Sequence, residues 1–298
     1  MAIQTATLGD LEHAQNIIVA QCRYTAEHNA VAANLIERFT LGKGQKSMTI
    51  PKVAQATAQS LTDGVDLVDT QDIGLTYTEL TTSEVGLKFI LTDKLVRQFN
   101  EDVMRVVGRQ MGDAMARKVD TDVIALFSSL NGGTTLGKDG INLTMYNAMS
   151  CVSRATSGKY PTPVSVLHHP NAIAILGKSA SAVGAVGASA STYFHGILQG
   201  LSEELLRNFW AMRINGVNFF QDGNVPKVSG VDSGYGAIFS KSSMCKIESL
   251  APTTERERDA SLRAWEVVMV SDYGCFEIDD NYGAPMLYEI GDLTTTTT

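Results

Sequence analysis

Residues 92–130 read TDKLVRQFNEDVMRVVGRQMGDAMARKVDTDVIALFSSL and carry the strongest structural signal of the chain. Thr92 suits a helix N-cap, and Asp93 places negative charge at the positive end of the helix dipole. Apolar side chains then recur every four positions, at Phe99, Val103, Val107, Met111, Met115, Val119, Val123 and Phe127. The run closes at Asn131-Gly132-Gly133, residues that readily take the left-handed conformation that ends helices. The pattern predicts a helix over 92–130, about 55 Å long at ~1.5 Å per residue.

The four-residue spacing also predicts how this helix packs. On a helix of 3.6 residues per turn, such a stripe shifts by about 40° at each step and winds around the axis. We therefore expect the helix to meet different partners along its length. Heptad spacing is absent, and Gly108 and Gly112 interrupt the run, which disfavours a coiled coil. The two glycines would let another chain segment approach the helix closely.

The residues before this helix favour extended structure. Ser47-Met48-Thr49-Ile50-Pro51 reads as a strand whose proline marks an edge or an end. Two later runs alternate in polarity, one through Ile73, Leu75 and Tyr77 and the other over 85–91. Residues 54–72 between them are small, polar and acidic. We predict a hairpin of roughly fifty residues with an under-filled tip, which is longer than usual connections and makes sense if it lies on a neighbouring molecule.

The rest of the chain predicts a loosely helical arm over 1–39 and, after the long helix, a mixed lobe. Helices are expected at 145–155, at 170–176 with an end at Gly177, and at 201–209. The small-residue stretch 172–192 is typical of a mobile loop, and Asn215-Gly216 of a two-residue hairpin turn. Predicted strands cover 163–167, 236–239, 244–247, 264–270 and 286–290. The C-terminal threonines should fray.

Composition excludes several classes of function. The chain has 298 residues, 44% hydrophobic and 19% charged, which is ordinary for a globular protein. Lys and Arg number 24 against 32 Asp and Glu, a net charge of −8. This balance disfavours tight DNA binding, which requires a basic surface. No apolar run approaches the ~20 residues of a membrane span, and no signal peptide is evident, so we expect a soluble intracellular chain.

Enzyme motifs are incomplete throughout. Gly177-Lys178-Ser179 ends like a phosphate loop, but Ala172 stands where the motif needs glycine. The stretch Gly42-Lys43-Gly44-Gln45-Lys46-Ser47 lacks the third glycine of a dinucleotide fingerprint and reads as a loop. His168-His169 is adjacent rather than spaced for one metal, and indicates a structural turn. Cys22, Cys151, Cys245 and Cys275 form no C-x-x-C pair and read as small apolar residues. We predict no catalytic, cofactor-binding or metal-binding residue.

The serial order of arm, long hairpin, long helix and mixed lobe resembles that of the major capsid proteins of tailed bacteriophages, which have the Hong Kong 97-type fold. The likeness spans nearly the whole chain. It is carried by Asn34-Leu35-Ile36-Glu37-Arg38 followed by Met48-Thr49-Ile50-Pro51, by Leu61-Thr62-Asp63-Gly64-Val65-Asp66, by Val164-Ser165-Val166-Leu167-His168-His169-Pro170, and by Arg256-Glu257-Arg258-Asp259-Ala260 before 262–270 and Tyr273-Gly274.

The resemblance implies an α+β Hong Kong 97-type capsid fold with an N-terminal arm, an extended β-hairpin loop, a long spine helix, a peripheral domain and an axial domain. The arm would cover 1–40, the extended loop 41–91, the spine helix of the peripheral domain 92–131, mainly the axial domain 132–255, and the peripheral return strand with the C-terminal axial strand 256–298. Whether a scaffolding segment is separate or removed stays open. The Lys–Asn isopeptide bond of some members is not assigned to residues here.

The resemblance further implies a structural major capsid protein that self-assembles into an icosahedral shell enclosing phage double-stranded DNA. Its partners would be copies of itself in pentamers and hexamers, with scaffolding, decoration and portal proteins as further candidates and only weak contact with DNA. It would reside in the virion after assembly in the host cytoplasm. An encapsulin-type cellular compartment is the alternative, since it shares the fold. A hydrolase or nucleotide-binding enzyme is disfavoured by the incomplete motifs.

Overall fold

The computed structural model describes residues 30–53, 74–98, 103–182 and 210–293, together with the isolated residues 56, 58, 60 and 63. Several predicted features lie outside the described residues. They are most of the arm (1–29), nearly all of the hairpin tip, Phe99 of the apolar stripe, the loop beyond residue 182, the helix at 201–209 and the C-terminal threonines.

The described chain contains five α-helices and twelve strands. The helices are α1 (Ala32–Leu35), α2 (Asp93–Gln98), α3 (Val103–Ala125), α4 (Met145–Ser157) and α5 (Pro170–Ala182). The strands are β1 (Glu37–Thr40), β2 (Ser47–Val53), β3 (Leu75–Thr81), β4 (Ser83–Thr92), β5 (Leu136–Gly137), β6 (Val164–His168), β7 (Trp210–Ile214), β8 (Val217–Gln221), β9 (Ser233–Ser240), β10 (Met244–Asp259), β11 (Ala264–Glu277) and β12 (Gly283–Glu289). In the described ranges, no helix combines the length and hydrophobicity that a membrane span requires.

These strands form three sheets. The first has four strands in the order β1-β10-β11-β4, and the second has six in the order β5-β12-β9-β6-β8-β7. The third is the hairpin of β2 and β3. Parallel pairing joins β1 to β10, β5 to β12 and β6 to β8, whereas the other pairs are antiparallel. The observed architecture is therefore a mixed helix and sheet fold, as predicted.

The long helix α3 contacts a different cluster at each level, as its winding stripe predicts. Near its start, Met111 and Met115 pack on Val267 and Met269 of β11. The middle of the helix contacts the N-terminal segment and β11, with Val119 buried beside Ala33 and Tyr273. Its end enters the central core. The buried residues there include Val123, Phe127, Leu167, Phe239 and Met244.

The structure confirms the predicted start of the long helix and corrects its predicted end. At the start, the Leu95 amide donates to Thr92 Oγ1 at 3.4 Å, which confirms the predicted cap. At the end, the α-helix stops at Ala125 and continues as 3₁₀ turns, so the prediction of a helix to residue 130 is wrong. Ser129 Oγ donates to the Leu126 carbonyl at 2.8 Å, and such local bonding competes with helical geometry. Asn131 and the two following glycines take positive φ, as expected.

The mixed lobe confirms most of its predictions and corrects one. Helix α4, strand β6 and the hairpin turn at Asn215-Gly216 lie where expected, and both turn residues have positive φ. Helix α5, however, runs through Gly177 to Ala182, so the predicted end at Gly177 and the loop reading of 172–182 are wrong. Ser179, which lies beyond the predicted end, connects this part of α5 to α4. Its hydroxyl donates to the Leu176 carbonyl at 2.8 Å and accepts from the Met145 amide at 2.9 Å, which ties α5 to the start of α4.

Candidate assembly surfaces

The β2–β3 hairpin is fastened to the molecule by one of its faces. Its register runs from Ser47 opposite Thr81 to Val53 opposite Leu75. On the inner face, Leu80 is fully buried, with Met48 and Ile50 partly buried beside it in a cluster with Leu41, Cys245 and Ile247. Further out, Lys52 Nζ lies 2.7 Å from Asp279 Oδ1. These contacts fix the direction in which the hairpin leaves the body.

The opposite face of the hairpin is apolar and uncovered. Because side chains alternate across a strand and paired residues share a face, Pro51, Val53, Leu75 and Tyr77 form one surface, here called the outer hairpin patch. Tyr77 leaves 65% of its surface exposed, Val53 60% and Leu75 48%. Single exposed apolar residues are common on protein surfaces, whereas contiguous apolar patches usually mark interaction sites. The patch therefore has the character of a contact surface.

The prediction that the run at 85–91 belongs to the hairpin is wrong, because the second strand of the hairpin is β3. The run at 85–91 lies in β4, which pairs antiparallel with β11 from Ser83 opposite Tyr273 to Thr92 opposite Ala264. Its side chains Val85 and Leu87 face α3 and cover the Met111 cluster. In the described ranges, β3 pairs with β2 and β4 with β11, and each keeps one open edge. Open edges present backbone groups that an added strand can satisfy.

The part of β10 beyond residue 247, which pairs with β11, was missed as a strand. The missed part of β10 is polar and exposed, so it lacks the hydrophobic alternation on which strand prediction depends. Charge alternation over Glu255-Arg256-Glu257-Arg258 is the signal that could have located it. Arg258 pairs with Asp93 at 3.0 Å and lies over the Trp265 ring at 5.6 Å. The outer end of β10 therefore presents an exposed, charged surface.

The α3 glycines face open space in the protomer. A Cβ atom added at Gly108 or Gly112 would meet no heavy atom within 4 Å in the described part of the chain. The close approach predicted for these positions therefore has no counterpart among the described residues of one subunit.

The stretches that resemble enzyme motifs serve structural roles. Residues 42–45 form a turn in which the Gln45 amide donates to the Gly42 carbonyl at 3.1 Å, as the loop interpretation predicts. His168 is fully buried at the end of β6, where Nδ1 accepts from the His169 amide at 2.9 Å. Burial lowers the pKa of His168 to about 3, so its ring is neutral. His169 Nδ1 accepts from the Asn171 amide at 3.2 Å, which places the pair in a structural turn as predicted.

The described cysteines are unpaired. Cys151 and Cys245 are buried and Cys275 is half-buried. Burial raises the pKa of Cys245 to about 12 and that of Cys275 to about 11, so both remain thiols at neutral pH. Cys22 lies outside the described residues. Within the described ranges, no three or more His, Cys, Asp or Glu side chains come together in an arrangement that could hold a metal ion.

Comparison with known proteins gives a family and a fold. A family model described as phage capsid protein matches residues 76–284, more than two thirds of the chain. A structure from Mycobacterium phage Che8 aligns with a TM-score of 0.67 and 16% identity, covering 89% of this chain and 94% of that one. The capsid asymmetric unit of cyanophage Pam1 gives 0.66 and 10%, covering 97% and 98%. The capsid of Ralstonia phage GP4 gives 0.65 and 11%, covering 93% and 97%. No curated protein matches the sequence.

Proposed function

The chain belongs to the phage capsid protein family and is therefore a structural protein of a capsid shell, and we propose that its fold is of the Hong Kong 97 type and that its copies close an icosahedral shell around double-stranded DNA. Membership of this family places the protein in the virion. It also favours a viral shell over the encapsulin-type compartment, and a structural role over an enzymatic one.

The described elements support a division into the domains of that fold. Helix α3 with the four-stranded sheet would form the peripheral domain, with 92–131 as its spine. The six-stranded sheet with α4 and α5 would form the axial domain, drawn mainly from 132–255 and completed by β12. The arm would cover 1–40 and the extended loop 41–91. Residues 256–298 would supply the return strand β11 and the C-terminal strand β12.

The observation that carries the proposal is the outer hairpin patch. The hairpin is held to its own subunit by Leu80 and by the Lys52–Asp279 ion pair, yet its other face exposes Val53, Leu75 and Tyr77. These exposed side chains do not stabilise an isolated subunit, whereas a neighbouring subunit could cover them. Many such modest contacts, repeated at every copy, would give a shell its stability through avidity. We assign the patch to contact between subunits.

Further partners follow from the same proposal. Copies of the chain would form pentamers and hexamers around symmetry axes. Scaffolding, decoration and portal proteins would join them during assembly in the host cytoplasm. The net charge of −8 suits a wall that holds DNA only by weak, non-specific contact, because tight phosphate binding would hinder entry and release of the genome.

A labelling experiment tests the assignment of the patch. In a Val53→Cys variant, which places a small side chain in the patch and keeps Tyr77, a maleimide should modify the new thiol rapidly in free subunits and slowly in assembled particles. The same particles, dissociated in guanidinium, should label fully and so serve as the control. Equal rates in subunits and intact particles would show that the patch faces solvent in the shell and would remove it from the contact between subunits.

A further inference from the structure

Two buried carboxyl groups meet at the point where the N-terminal segment joins the body. Asp120 on α3 is fully buried, and Asp222, which follows β8, is 2% exposed. Asp120 Oδ1 accepts from the Ala32 amide at 2.8 Å, and Asp222 Oδ2 accepts from the Val31 amide at 3.4 Å. Asn224 bridges the two, since its side chain donates to Asp120 at 3.0 Å and its amide to Asp222 at 2.8 Å. Helix α3, the residues after β8 and the N-terminal segment are thus joined through one polar cluster.

The segment that these carboxyls hold is itself packed into the core. Val31, Ala32 and Ile36 are buried in the same cluster as Val123 and Phe127 of α3. The segment then leads directly into β1, which pairs in parallel with β10. Holding or freeing residues 31–36 would therefore change how the arm before residue 30 is attached to the subunit.

The charged groups around the pair offer it little compensation. The groups that act on Asp120 are Asp222, Asn224 and the Ala32 amide. From β6, the His168 carbonyl accepts from the Asp222 amide, and the His168 ring is neutral. In the N-terminal segment, the Arg38 guanidinium bonds to the Ala33 carbonyl and the Asn34 side chain. On α3, Lys118 pairs with Asp122. Asn224 bridges the two carboxyl groups, and neighbouring buried carboxylates repel each other strongly when both are ionised.

We propose that Asp120 and Asp222 form a proton-controlled latch, in which a proton on Asp120 holds residues 31–36 against α3 and loss of that proton to solvent loosens the segment. The latch concerns the single subunit, and only its consequence for the arm in a shell rests on the proposed function. Deprotonation leaves two buried carboxylates, whose desolvation and mutual repulsion are relieved when the segment moves away and water reaches them, although the amide hydrogen bonds are lost.

The direction of the pH dependence follows from the environment of the pair. Burial, together with the hydrogen bond and the negative charge of Asp222, raises the pKa of Asp120 from 3.8 to about 7. A raised pKa in the docked state means that proton binding favours docking. This contribution is complete below pH 3.8 and is lost as the pH rises through about 7. Between those two values, one linked proton changes the docking equilibrium by about tenfold for each pH unit, and the change levels off above about pH 7.

Hydrogen exchange on the full-length, unassembled chain tests the latch. After correction for intrinsic rates, protection of the Val31 and Ala32 amides should fall about tenfold between pH 6 and pH 8, the change for one linked proton. The amides of Ala237 and Phe239 in the central strand β9 should not change. In an Asp222→Asn variant, the pH dependence of the protection should become weaker and move to lower pH, because the hydrogen bond and charge of Asp222 are removed while burial of Asp120 remains. An Asp122→Asn variant, altered on the same helix but outside the pair, should behave like the wild type.

The latch would be overturned if the Val31 and Ala32 amides of the wild type were equally protected at pH 6 and pH 8. This measurement does not depend on the folding of any variant. A pH-dependent loss in Asp222→Asn of the same size and midpoint as in the wild type would overturn it as well. Because exchange is measured on free subunits, a failure of the chain to form shells would leave these outcomes readable and would count against the proposed function alone.

Discussion

Replacement of Tyr77 by serine should disable assembly while leaving the subunit folded. Tyr77 exposes 65% of its surface on the outer hairpin patch, opposite Pro51 on the paired strand. A covered aromatic side chain buries about 200 Å², so the exposed part corresponds to ~130 Å² that a neighbour could cover. At ~25 cal/mol per Å² this amounts to ~3 kcal/mol for each contact between subunits. Every copy in a shell would lose the same amount.

The substitution should have little effect on the stability of the free subunit. Tyr77 is largely solvated in the protomer, and substitutions at such surface positions usually alter the free energy of unfolding by less than about 0.5 kcal/mol. Tyr77→Phe is the matched control, because it keeps the ring and loses only the hydroxyl. We expect Tyr77→Phe to assemble nearly as the wild type does, and both variants to melt within a few degrees of it.

The critical concentration for assembly is obtained by measuring light scattering as a function of subunit concentration. A loss of ~3 kcal/mol corresponds to a rise of about 100-fold for Tyr77→Ser. An unchanged critical concentration would show that the patch is not covered by a neighbour. A large fall in the thermal midpoint of the free subunit would mean that Tyr77 stabilises the protomer, and the reasoning from its exposure would be wrong.

Three further predictions concern the hairpin and the long helix. Deletion of residues 54–72 should leave folded subunits that form no shells in electron micrographs; normal shells would refute an interface role for the hairpin tip. Gly112→Leu, and likewise Gly108→Leu, meets no atom in the described part of the protomer, so unfolding should be unchanged or slightly harder while particle yield falls. Unchanged yield would count against close approach by another subunit. Leu80→Ala, at a fully buried position that fastens the hairpin, should cost about 2–5 kcal/mol in chemical denaturation, and a loss below ~1 kcal/mol would contradict that packing role.

Local patterns predicted the elements whose side chains alternate between core and solvent. The apolar stripe located α3 and indicated that its partners change along its length. Asn215-Gly216 located a hairpin turn because few other residues accept positive φ at both positions. Strand β6 and helix α5 followed from a buried apolar run before Pro170. In each case the residues that reveal the element in the sequence are the same residues that stabilise it in the structure.

The remaining features depend on contacts between distant residues. Strand β4 looked like a hairpin arm because its pairing with β11 joins residues about 180 positions apart, which no local pattern displays. The outer half of β10 is polar, and β11 alone makes it a strand. Lys52 with Asp279, and Asp120 with Asp222, become partners only through the fold. The sequence predicted that the hairpin lies on a neighbouring molecule, but the members of the outer hairpin patch were identified only from the register of β2 and β3.

Size-exclusion chromatography of the purified chain with negative-stain imaging of the eluted material tests the central claim, assembly of copies into a shell, most directly. We predict megadalton, hollow, icosahedral particles. A compact monomer that persists at high concentration, with its outer hairpin patch folded onto its own body, would contradict the account.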